Sequence, residues 1–78
     1  MKFNLSVADA VRAEMARQRI TQAELAKALH LSQPAVARRL SGEVPFDLAE
    51  LDATARLLKI RASRLVAEAE RARAGGVR

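Results

Sequence analysis

The chain has no cysteine, no tryptophan and no tyrosine, and two phenylalanines are its whole aromatic content. Without thiols it forms neither disulfides nor thiolate metal sites, which suits a reducing compartment. Without Trp and Tyr it has few platforms on which the splayed-out bases of single strands or RNA stack. A lone histidine, His30, is a poor basis for a metal site. No apolar run approaches the ~20 residues that cross a bilayer, and the first residues lack the basic-then-apolar pattern of a secretory leader. Gly-rich phosphate loops, nucleophile elbows and carboxylate pairs set in a cleft are also missing. These absences predict a soluble cytoplasmic protein that is not an enzyme. They predict no cofactor, no metal, no small-molecule substrate and no membrane partner.

What remains is compositionally simple. Seventy-eight residues make one domain. Half of them are hydrophobic, supplied mostly by Ala and Leu, which points to a compact all-α fold. A net charge of +5 and a pI near 11.1 fit a polyanionic partner.

Periodicity divides the chain into five helices. Residues 1–5 are a lead-in whose Phe3 and Leu5 tuck against the core. Ser6 and Asp9 form an S-x-x-D start, and Val7, Val11 and Met15 draw an apolar stripe along a first helix ending near Gln18. Thr21 and Glu24 make a capping box for the second helix, with Ile20 and Leu25 at the positions of a hydrophobic staple. Leu25, Ala26 and Leu29 face inward. His30-Leu31 is a turn, and Ser32 caps a third helix that carries Pro34 in its first turn. Val36 and Leu40 are its buried face, and Gly42 ends it. Asp47 and Glu50 start a fourth helix with Leu48, Leu51, Ala55 and Leu58 at helical spacing. A fifth begins near Arg61 and has Leu65, Val66 and Ala69 as its apolar residues. Residues 1–74 read as one domain and 75–78 as a flexible tail.

The informative stretch is Thr21 to Gly42, TQAELAKALHLSQPAVARRLSG: two short helices across a tight turn. Reading a duplex requires an element slim enough for the major groove, with side chains that reach base edges. A helix over 32–41 meets that need, and Gln33, Pro34, Ala37 and Arg38 share its exposed side. Gln pairs bidentately with adenine and Arg with guanine, while the amides at the second helix's start, near Gln22, suit a phosphate. The same pattern also serves a protein–protein interaction module, in which an exposed helix meets a partner and the arginines are incidental. The basic run Arg56, Lys59, Arg61 and Arg64 reads as a solvated face rather than a second nucleic-acid surface.

With its Q-A-E-L-A opening and V-x-R-x-L-x-G close, this stretch resembles the helix-turn-helix of the phage repressor/Cro (XRE-like) family. The resemblance implies a lambda-repressor-like five-helix bundle. It also implies a sequence-specific regulator of transcription on double-stranded DNA, acting in the nucleoid of a bacterium or phage-infected host. By the same resemblance Gln22 holds a phosphate and braces Gln33. Base contacts come from Gln33, Pro34, Ala37 and Arg38, and Ser32 and Ser41 lie near phosphates. The chain departs from the family in three places. His30 stands where Gly is usual. Met15 and Leu40 replace a buried Arg–Glu pair of some relatives. Gly42-Glu43-Val44-Pro45 replaces a basic segment, leaving Arg39 among the residues to clamp phosphate. A homodimer through Leu65, Val66 and Ala69 is expected, because a four-helix core would leave those residues uncovered.

Overall fold

Five helices run through the computed structural model, which describes residues 3–76. They are α1 (Phe3–Gln18), α2 (Gln22–Leu29), α3 (Gln33–Leu40), α4 (Leu48–Leu58) and α5 (Ala62–Gly76). No strand occurs among the described residues, so the expected all-α bundle is the architecture that forms. α1 lies chiefly along α5 and also touches α3 and α4; α2 packs on α3 and α4, and α4 on α5. Val11, Leu25, Val36, Leu58 and Leu65 are fully buried where these helices meet. Among the described residues, no buried side-chain nitrogen or oxygen lacks a hydrogen-bond partner, so none carries the roughly 1–3 kcal/mol cost of an unmade bond.

Three helix starts follow the sequence signals. Thr21 accepts from Glu24 N at 3.1 Å while the Glu24 carboxylate accepts from Thr21 N at 2.9 Å. Asp47 and Glu50 repeat the box at 2.7 and 3.1 Å, and Ser32 accepts from Ala35 N at 3.3 Å. Each such cap contributes about 1 kcal/mol by satisfying amides the helix leaves orphaned.

The helix ends follow a rule that glycine does not mark. α1, α2 and α4 each finish on a left-handed residue: Arg19, His30 and Lys59, with φ of 57°, 55° and 58°. In each, the next amide reaches back to the carbonyl five residues earlier: Ile20 to Met15 at 2.9 Å, Leu31 to Ala26 at 3.0 Å, Ile60 to Ala55 at 3.0 Å. This is the Schellman arrangement, and its apolar following residue is present every time. Ile20, Leu31 and Ile60 all pack half-buried against the core. Burying that residue offsets the roughly 1–2 kcal/mol that a Cβ costs in this conformation.

Four sequence expectations need correction. The S-x-x-D start at Ser6 is not used: α1 begins at Phe3, Ser6 is buried within it, and Asp9 pairs with Arg12 instead. Contacts with the end of α3, described below, draw the supposed lead-in into the helix. Leu48 is 86% exposed; the inward stripe of α4 starts one turn later at Leu51, and Thr54 fills an inward position by donating to Glu50 O at 2.8 Å. α5 continues to Gly76, past Ala74; Val77 and Arg78 of the expected tail lie outside the described residues. Finally, Leu65 and Ala69 are fully buried inside the chain itself. Long contact with α1 covers them, so only half-buried Val66 is left of the expected dimer seat.

Candidate nucleic-acid interface

α3 is a helix of eight residues and would be marginal alone. Its neighbours hold it. Val36 and Leu40, a turn apart, are buried, opposite the Leu25, Ala26 and Leu29 face that α2 turns inward. α1 clasps its end: Asn4 donates to Gly42 O, and the Arg12 guanidinium donates to Leu40 O. A cation on the last carbonyls of a helix is also favoured by the helix dipole. Leu5 sits so close to Gly42 that a Cβ there would clash with the Leu5 side chain. Gly42 at φ 82° is therefore favoured by its backbone, and a side chain there would also have to displace Leu5. Asn4, Leu5 and Arg12 were not among the sequence-predicted functional residues. Nothing in local periodicity marks them, because their partners lie at least 28 residues away.

The outer side of α3 is uncovered. Gln33, Pro34, Ala37 and Arg38 are all exposed, and their spacing of one and four residues places them on one face. The Arg38 guanidinium meets no carboxylate among the described residues. Its carbonyl, by contrast, is occupied: it accepts from Ser41 Oγ at 2.9 Å and from Val44 N at 3.2 Å. Backbone and side chain thus separate in role, the one securing the exit of α3 and the other reaching outward.

The predicted phosphate residues stand in three different settings. Gln22 is exposed at the first position of α2, beside amides aligned with that helix axis. Ser32 and Ser41 are exposed, but their hydroxyls already serve as start and end caps of α3. Arg39 is elsewhere. Its Nε donates to Glu50 Oε1 at 2.9 Å and its Nη1 to Ala35 O at 2.9 Å, with the pair only 16% and 15% exposed. The hydrogen bond to Glu50 holds the guanidinium more firmly protonated than usual, against the opposing effect of burial. Arg39 is thus a brace between α3 and α4 rather than an outward cation. The same Glu50 oxygen also caps α4, so one atom serves both helices.

His30, standing where glycine is usual in the resembled family, adopts the left-handed conformation, with its amide bonded to Ala26 O and Lys27 O. Met15 and Leu40, expected as an apolar replacement for an ion pair, are both buried. No helix among the described residues is long and apolar enough to cross a membrane.

Comparison with known proteins agrees with this class of domain. A family model described as the BetR domain matches residues 2–77, nearly the whole chain. The match is to a small helical domain of regulatory, DNA-binding type, and does not single out the phage repressor/Cro class. No curated protein matches the chain, and no solved structure does.

Proposed function

The chain belongs to the BetR domain family, and we propose that it is a sequence-specific double-stranded DNA-binding regulator of transcription, similar in its reading element to phage repressors and Cro proteins. The observation that carries the reading is the exposed, unpartnered Gln33–Arg38 face of a helix capped at both ends and clasped from behind. In the major groove, Gln33 addresses adenine and Arg38 the O6 and N7 of guanine, while Pro34 and Ala37 offer small apolar contacts to thymine methyls. Gln22 and the first amides of α2 take a backbone phosphate and set the register. Arg39 is assigned to bracing, and Ser32 and Ser41 to capping with secondary proximity to phosphate. One such helix reads few base pairs, so a working operator takes two copies on half-sites one DNA turn apart. The regulator acts by occupying that site.

Selection of bound duplexes from a random pool tests this. It should enrich a short quasi-palindromic sequence whose affinity falls steeply with salt. Arg38→Ala should cost about 1–3 kcal/mol and relax preference at one base-pair position. An unenriched pool, or an unchanged preference in that variant, would remove the reading. The first outcome would favour a protein-binding role for the same face.

A further inference from the structure

The C-terminal corners of α1 and α4 lie back to back. Gln18 Nε2 donates to Leu58 O at 2.6 Å, tying the last residue of one helix to the last of the other. The next residue in both is a left-handed cation, Arg19 in one and Lys59 in the other. Arg61 follows at the entrance to α5. With Lys59, Ile60, Ser63, Arg64 and Ala67 it lines an open recess of about 680 Å³ that, among the described residues, no carboxylate lines.

Not all the nearby cations are available. Arg64 is neutralised by Glu68 at 3.2 Å and by Glu14 at 3.7 Å, and Arg56 by Asp52 at 3.1 Å. Arg19, Lys59 and Arg61 are exposed and meet no carboxylate among the described residues. Lys59 and Arg61 share the recess and Arg19 follows Gln18, whose side chain is bonded to Leu58 O, so unbalanced positive charge gathers where the two helix ends join; a partner bearing closely spaced negative charge relieves it. The corner also adjoins the proposed interface, since Arg19 stands three residues before Gln22 in the chain. That continuity favours the partner already met by α2.

We propose that Arg19, Lys59 and Arg61 form a second phosphate-contacting ridge, which engages the backbone of duplex DNA beyond the base pairs read by α3. The ridge rests on the DNA-binding reading above. It carries no sequence information and contributes affinity that is lost with salt.

The test is the slope of log affinity against log salt on a duplex extended past the selected site. Arg61→Gln and Lys59→Asn should each flatten that slope by about 0.9, the value for one phosphate contact, with base preference unchanged. Asn is used at 59 because it tolerates the left-handed backbone. Arg71→Gln removes the same charge from an exposed position on α5 outside the recess, and should leave the slope as it is. Thermal unfolding checks that each variant is folded, and either ridge variant alone is sufficient. Parental slopes in both ridge variants, or an equal flattening in Arg71→Gln, would overturn the ridge and leave the α3 reading intact. Unchanged slopes with an altered sedimentation coefficient would also overturn it, in favour of a second copy of the chain. A parent without salt-dependent duplex binding would sink both.

Discussion

Two left-handed residues flank α3, His30 at φ 55° before it and Gly42 at φ 82° after it, and they tolerate change very differently. His30 is exposed and its Cβ carries only the conformational cost. His30→Gly should stabilise the fold by up to about 1 kcal/mol, less whatever the extra freedom of the unfolded chain takes back. Gly42→Ala must pay the same conformational cost and also displace Leu5, whose Cγ and Cα stand 2.9 and 3.2 Å from the new Cβ. It should lose about 2 kcal/mol or more. Thermal melts of the two variants should therefore move in opposite directions; a shared direction would contradict the account of the turn. The positive charge at 19 and 59 is likewise set on left-handed residues, where neither composition nor helix periodicity points.

At the scale of helices, the decisive joint is the one between α3 and α4. Arg39 turns away from the Gln33–Arg38 face, grips Ala35 O on its own helix, and meets the Glu50 oxygen that caps α4. Removing the guanidinium with Arg39→Met should cost about 1.5–3 kcal/mol of stability, the range for hydrogen bonds to charged groups. DNA affinity should weaken alike for all sequences, because α3 is less firmly held. The salt slope should stay parental, since no phosphate contact is lost. A slope flattened by about 0.9 would instead restore Arg39 to the backbone of DNA. From sequence, Arg38 and Arg39 are adjacent cations on one short helix, and both are expected at nucleic acid. Only the position of Glu50, eleven residues on, separates an exposed cation from a brace. Leu48 teaches the same point from the apolar side. Its spacing to Leu51 is helical, yet periodicity fixes phase and not where a neighbouring helix begins to cover that phase.

For the molecule as a whole, Glu14 is the meeting point of charge and packing. It is buried on α1 and accepts from Arg17 at 2.5 Å and Gln18 at 2.8 Å, while Arg64 of α5 stands at 3.7 Å. Gln18 extends the link to α4 through Leu58 O. The hydrogen bond from Arg17, then that from Gln18, lower the Glu14 pKa below its ordinary 4.5 despite the opposing effect of burial. A carboxylate whose folded value is depressed leaves the unfolded chain binding more protons, so stability rises with pH through that interval. Its contribution is in place above about pH 4.5 and is lost as pH falls through the lowered value. Glu14→Gln should flatten the acid limb of a plot of melting temperature against pH. A limb as steep as the parent's would show that other carboxylates set it. At the far end Arg73 lies 5.0 Å over the Phe3 ring, so α5 is held to α1 at both ends. The contact lies in the last turns of α5, which runs on through Ala74 to Gly76.

Sequence alone determined the number and order of helices, the three capped starts at Thr21, Ser32 and Asp47, the inward stripes of α1 to α3, and the outward set Gln33, Pro34, Ala37 and Arg38. These are local matters: a cap spans three residues and a helical stripe repeats every three or four, so the signal lies within a short window of chain. Tertiary structure alone decided that α1 begins at Phe3, that Arg39 braces while Arg38 reaches out, and that Leu65 and Ala69 belong to the core. It also joined the end of α1 to the end of α4 across forty residues, through the bond from Gln18 to Leu58. Each of these turns on which distant groups share one volume, and a carboxylate, carbonyl or apolar wall brought from elsewhere in the chain changes what a side chain does without altering its neighbours in sequence.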